Sequence, residues 1–188
     1  MPYCTLAEVK RALNASASET QNDALLAELC DDESSRIDLL LGARAPLTRG
    51  TWTEDYDGGC DSIVLRHRPA ISVASVKDDL SWTFGSSSVI DATAYRLDKT
   101  LGILRFVYYV PAGGRQNVRV VYDGGFDPIP GLVRRLAVEM VTARLKQREN
   151  PMVVNRGNKD GNFSKTPPEE WDSTIIRRLE PILGVPLG

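Results

Sequence analysis

VRVVYDGGFDPIPGLVRRLAVEMVTARL, residues 118–145, holds a strand, a turn and a helix in one uninterrupted run. Val118, Val120 and Tyr122 alternate with Arg119 and Val121, the period-2 pattern of a half-buried strand. Asp123, Gly124 and Gly125 break it, because glycine reaches the positive φ of a tight turn without a Cβ penalty. The helix opens at Asp127 before Pro128, or at Pro130. A proline in the first turn lacks only an N–H that would have no partner there. Leu132, Val133, Leu136, Ala137, Met140 and Ala143 recur at three and four residues and define one apolar face. Arg134, Arg135, Arg144, Lys146 and Arg148 against Glu139 leave residues 132–148 at +4, on a chain whose formal charge is −2.

Upstream, TLAE at residues 5–8 is a capping box, in which the Thr5 hydroxyl and the Glu8 side chain each satisfy an unpaired backbone N–H. Leu6, Val9 and Leu13 continue at helical spacing, and residues 14–18 are small and polar, as in a loop. A second helix is expected from near Thr20, with Leu25, Leu26, Leu29, Cys30, Ile37, Leu40 and Leu41 apolar and Gly42 as its left-handed stop. The run Asp31, Asp32, Glu33, Ser34, Ser35 is polar all round and should face water or a basic partner. Residues 1–41 carry three cations and eight acids, a balance of −5. An acidic helix and a basic helix suggest complementary faces, within a subunit or between copies. Arg134 and Arg135 with Asp31, Asp32 and Glu33 are the candidate subunit-interface residues, and plain solvation is the competing reading.

From Pro46 the chemistry changes. Residues 52–126 are rich in β-branched and aromatic side chains and punctuated by glycine. Strands are expected at 63–65, 71–76, 81–84, 94–97, 103–107 and 118–122, with turns at DGG 57–59, DD 78–79, GSSS 85–88, residues 98–102 and GG 113–114. Short strands at near-regular spacing suggest a small antiparallel sandwich or barrel. The expected fold class is α+β: a small helical bundle, residues 1–46 and 127–149, with an inserted antiparallel β domain, 47–126. A flexible tail, 150–188, ends in a short helix. Residues 150–168 are too poor in large apolar groups to offset the cost of ordering. Beyond them Trp171, Ile175, Ile176, Leu179 and Ile182 place an apolar stripe on a helix too short to stand alone in water. That stripe either joins the subunit's own core or docks on a partner.

Reactive chemistry is poorly supplied. His67 is the only histidine, and no carboxylate or nucleophile stands at a local spacing that would make it catalytic. Asp55, Asp57 and Asp61 pass near a calcium-loop spacing without its distal bidentate glutamate, and a β-turn with solvated acids is the simpler reading. Phosphate-loop, dinucleotide, serine-hydrolase and zinc-protease motifs are absent. No cofactor and no metal are expected, and no enzyme. Cys4, Cys30 and Cys60 are odd in number and widely spaced, as free thiols in a reducing compartment would be. No stretch approaches the ~20 apolar residues of a membrane span, and MPYCTLAEVK does not read as a signal peptide.

In their order, these parts resemble tailed-phage head–tail connector (adaptor) proteins of the gp6-like connector family. The resemblance rests on TLAEVK at 5–10, IDLLLG at 37–42, LRHRP at 65–69, VASV at 73–76, YRLD at 95–98, GILRF at 102–106, VRVVYDGG at 118–125, the Pro130-led helix and IIRRLEP at 175–181. It implies a non-enzymatic protein of the virion neck, assembled in the host cytoplasm as a closed ring of about twelve copies. Its implied partners are the portal protein, the stopper or tail-completion protein and further copies of itself. Exposed ion pairs contribute only about 0–1 kcal/mol each, so a chain that is monomeric when free and forms its ring on the portal is one expectation. DNA would pass through the lumen without sequence-specific contacts, and no membrane is involved. The large β insertion departs from the simplest helical members. The C-terminal segment, with Trp171, Ile175, Ile176, Leu179 and Ile182, would dock on the portal. Competing readings are another neck protein, for head completion or tail termination, and a β-sandwich ligand-binding module built on Trp52, Trp82, Tyr108 and Tyr109.

Overall fold

The centre of the β region is β6, Val118–Gly124, flanked on both sides by antiparallel neighbours. The computed structural model describes residues 2–42, 46–149, 173 and 175–179; the stretch 150–168, expected to be flexible, lies outside them. Among the described residues, those up to Gly42 and from Ile129 onward belong to one compact unit, and residues 46–128 to a second.

In the second unit β1 (Gly50–Tyr56) and β3 (Ala70–Asp78) pair with β6, while β2 (Ser62–Val64) and β4 (Tyr95–Asp98) pair with β5 (Ile103–Phe106). Both three-stranded sheets are antiparallel. Every second residue of β6, from Val118 through Val120 and Tyr122 to Gly124, is buried, which is the alternation expected of it. These side chains share one core with Ile63, Leu65, Val76, Tyr95, Leu104 and Phe106, so the two sheets are joined through their apolar faces.

The tyrosine–aspartate–diglycine sequence occurs twice, and each copy ends a strand. After β1, Gly59 has φ +83°; after β6, Gly125 has φ +106°, and a Cβ there would stand 2.5 Å from the Thr48 carbonyl oxygen. Only glycine fits such a position without strain.

Two expectations fail here. β1 is a full strand that hydrophobic patterning does not reveal, because the position between inward Trp52 and Tyr56 is Glu54. Residues 81–84 are a turn rather than a strand. The Asp79 carboxylate takes the Ser81 and Phe84 N–H groups at 2.9 and 2.7 Å and the hydroxyls of Ser81 and Thr83. It thereby holds Trp82 and Phe84 at positive φ, and local side-chain bonding overrides the β propensity of the segment.

The first unit contains α1 (Leu6–Ala12), α2 (Asp23–Leu41) and α3 (Gly131–Glu149). The capping box of α1 is formed as read: Thr5 N–H reaches Glu8 Oε2 at 2.8 Å and Glu8 N–H reaches Thr5 Oγ1 at 3.3 Å. α2 starts at Asp23, later than expected, after a turn in which Asp23 N–H bonds the Thr20 carbonyl. The loop before it is folded round Lys10, whose Nζ lies 2.6 Å from Asp23 and 2.7 Å from the Glu19 carbonyl. α3 begins after Pro130, whose carbonyl accepts the Arg134 N–H. Its face of Val133, Leu136, Ala137, Met140, Val141 and Leu145 is buried. The polar run in α2 does not face water throughout: Glu33 and Ser34 are buried. Ser34 Oγ bonds the Cys30 carbonyl and accepts the Tyr3 N–H, and Glu33 stands 3.7 Å from both Arg36 and Arg144.

Candidate functional site

Glu54, inward on β1, organises a buried polar cluster. His67 Nδ1 lies 3.2 Å from Glu54 Oε1, and the Tyr122 hydroxyl donates to Glu54 Oε2 at 2.8 Å while accepting the His67 N–H at 3.0 Å. The Tyr56 hydroxyl also donates to Glu54 and accepts the Arg66 N–H. Trp52 stacks on the imidazole, ring centroids 3.6 Å apart and 4° from parallel, and donates its Nε1–H to the Gly124 carbonyl. Burial raises the Glu54 carboxyl, but hydrogen bonds from His67, Tyr56 and Tyr122 outweigh it and hold the group down at about 2. Burial, helped by the carboxylate, pushes both phenols well above their ordinary range. Over ordinary pH the carboxylate therefore stays ionised and the phenols keep their protons. His67 has a carboxylate partner after all, but the ring is buried under Trp52. Such an arrangement cross-braces β1, β6 and the β2–β3 connection.

The acids with calcium-like spacing are engaged in other ways. Asp55 forms a two-pronged pair with Arg119 at 2.8 Å, and that guanidinium lies 3.9 Å over the Phe84 ring. Asp57 accepts the Gln116 N–H, and Asp61 accepts from Ser62. Among the described residues no group of three or more His, Cys, Asp or Glu is placed to hold a metal. Nor is any helix there long and apolar enough to cross a membrane.

The aromatics proposed for ligand binding are separated. Trp52 is turned inward onto His67, whereas Leu80, Trp82, Tyr108 and Val110 are exposed. The exposed group sits on firm supports. Tyr109 Oη donates to Asp78 at 2.5 Å, Asp78 also accepts the Ala112 N–H and the Asn117 amide, and Trp82 Nε1–H reaches the Arg115 carbonyl.

In the helical unit the candidate interface residues divide. Arg134 lies 3.4 Å from Glu8, and Glu33 is buried against Arg36 and Arg144; those pairs are internal to the subunit. Asp31, Asp32 and Arg135 are exposed. The C-terminal docking residues divide as well. Residues 175–179 are helical, with Ile175 and Leu179 buried, Ile176 half-buried, and Arg178 held 2.5 Å from Glu139 of α3. Ile175 and Leu179 are thus buried within the subunit, because a short apolar helix lowers its free energy by the nearest available burial. Trp171 and Ile182 lie outside the described residues. All three thiols are free: Cys60 is exposed, whereas Cys4 and Cys30 are buried together. Burial, with Cys30 beside it, pushes the Cys4 thiol up to about 12.

No family model matches the chain, and none of the curated proteins does. Solved structures do resemble it. A chain in the neck of an empty GTA particle computed with C6 symmetry aligns over 94% of this chain and 89% of its own length, at TM-score 0.55 and 17% identity. A chain in the neck of a native GTA particle computed with C12 symmetry aligns over 86% and 81%, at TM-score 0.51 and 16% identity. Similarity at these identities establishes a shared fold of helices and antiparallel sheets.

Proposed function

We propose that this chain is a structural protein of the neck of a tailed-phage-like particle, acting as the adaptor that attaches to the portal and extends the DNA channel toward the stopper or tail. The observation that carries this reading is the end-to-end fold likeness to a chain of a particle neck, which includes both the helices and the β insertion. The six- and twelvefold symmetry of those necks supports assembly as a ring, and a closed ring requires two different surfaces on each copy. Asp31, Asp32 and Arg135 remain exposed for contacts between copies, whereas Arg134, though exposed, is paired with Glu8 and Glu33 is buried. The role proposed for the C-terminal segment narrows in the same way. Ile175 and Leu179 are buried within their own subunit, and docking on the portal is the role proposed for the rest of the segment, with Trp171, Ile176 and Ile182. The burial of the His67 ring beneath Trp52 supports a non-enzymatic role. The test is electron microscopy of the full-length protein mixed with the portal protein of its own particle. One ring stacked coaxially on the portal is the expected result. Failure to bind portal, with binding instead to the distal neck or tail, would replace the adaptor role by that of a stopper or terminator.

A further inference from the structure

Two surfaces carry charge that no described residue of the subunit neutralises. On the exposed face of the β2–β5–β4 sheet the register sets Arg96 directly opposite Arg105, with Ser62 on the other side of Arg105. Both arginines are exposed, and neither has an acidic partner among the described residues. Like charges directly opposite in an antiparallel pair destabilise a sheet, so an anion from outside the subunit gives this pair a purpose. The acid closest along the strand, Asp98, is engaged: it accepts the Thr100 and Leu101 N–H groups and closes the β4–β5 turn. Val64, diagonal to Arg105 across the β2–β5 pair, is 55% exposed, and Leu101, in the β4–β5 turn, is 50% exposed.

The other surface is the outer stripe of α2. Glu28, Asp31, Asp32, Ser35 and Leu39 follow one another along its exposed side, and Leu39 is 81% exposed. Glu28, Asp31 and Asp32 have no cation within ion-pair distance among the described residues. The cations of α3 do not serve them: Arg144 faces the inner acid Glu33, and Arg134 faces Glu8.

We propose that the Arg96–Arg105 face of one copy receives the Glu28–Asp31–Asp32 stripe of the next, with Leu39 set against Val64 and Leu101. This rests on the ring assembly proposed above and names the surfaces that make it. The two surfaces differ, so the contact is head-to-tail and repeats until it closes. Each carries charge opposite to the other beside exposed apolar side chains, and each sits on regular secondary structure that needs little ordering on contact. Duplex DNA would satisfy the arginines alone, leaving Leu39 and the acidic stripe without a partner. Exposed ion pairs add little strength; here they fix orientation and exclude wrong pairings.

The test uses two full-length charge variants, Arg96→Glu with Arg105→Glu, and Asp31→Lys with Asp32→Lys. Assembly is followed by analytical ultracentrifugation and electron microscopy, with and without portal. Each variant alone sets like charges against each other and should raise the apparent Kd for self-assembly at least about tenfold. Mixed in equal amounts they should assemble again, because each junction then pairs opposite charges, and the rings should contain an even number of subunits. Wild-type rings with both variants assembling normally, or a mixture no better than its parts, overturn this contact and leave the ring reading standing. Loss of duplex DNA binding by the arginine variant, with its rings intact, would assign the face to nucleic acid instead. A wild-type protein that forms no ring in either setting would sink the ring reading itself. Circular dichroism melts of both variants serve to separate misfolding from lost contact.

Discussion

Replacing Glu54 by glutamine should remove one distinct share of the acid sensitivity of the β unit. In the fold its carboxyl is held down at about 2, against about 4.3 for an unperturbed glutamate. That difference couples ionisation to folding by at most about 3 kcal/mol at neutral pH. It is a large share of the roughly 5–15 kcal/mol typical of a domain. Because the folded value is the lower one, the stabilisation is complete above about pH 5 and disappears as pH falls from about 4.5 to about 2. The amide would keep the shape but lose the charge that His67, Tyr56 and Tyr122 all address. The assay is the urea midpoint of wild type and Glu54→Gln between pH 7 and pH 2.5. The variant should be less stable at pH 7 by as much as about 3 kcal/mol, and the two curves should converge at the acid end. Glu8, Asp79, Asp91 and Asp123 are also held below their ordinary values, but both proteins contain them and the difference curve cancels them. Parallel curves at all pH values would refute the reasoning, since the carboxylate would then contribute nothing specific to its charge.

Leu179→Ala should destabilise the helical unit by about 2–5 kcal/mol, as burial of that side chain in its own subunit requires; a urea midpoint at the wild-type value would free the segment for docking elsewhere. Gly125→Ala should cost at least about 1 kcal/mol, because a Cβ at positive φ meets the Thr48 carbonyl, and an unchanged thermal midpoint would contradict that geometry. Thiol labelling of the native protein should reach Cys60 quickly and Cys4 and Cys30 only after unfolding, which mass spectrometry under native and denaturing conditions distinguishes.

The sequence around β6 is legible because its alternation is undisturbed: apolar residues point in, and Arg119 and Asp123 stay near the surface. The α+β class, the capping box, and the glycine stop at Gly42, with φ +57° and ψ −124°, follow from equally local rules. What escapes is non-local. β1 reads as polar because Glu54 occupies an inward place that Tyr122 and His67, farther along the chain, help Tyr56 to make tolerable. Glu33 reads as solvent-facing for the same reason, since its arginine neighbour on α3 is remote in sequence. Residues 81–84 mislead in the opposite direction: tryptophan, threonine and phenylalanine favour a strand, and the aspartate at position 79 gathers the backbone into a turn. In the surface chemistry, the acids of α2 are visible in the sequence, but the Arg96–Arg105 pairing exists only once β4 and β5 are in register.

The middle position of β6 also has a consequence for how the chain matures on the ribosome. β1 and β3 cannot find their shared neighbour until residue 124 has been made, and α1 and α2 wait longer still for α3. Neither unit can therefore close early, and the growing polypeptide carries unpaired strand edges from the completion of β1 until β6 has been made. Completion of both then depends on one short late stretch, so a truncated product that stops before it should be unable to fold either half.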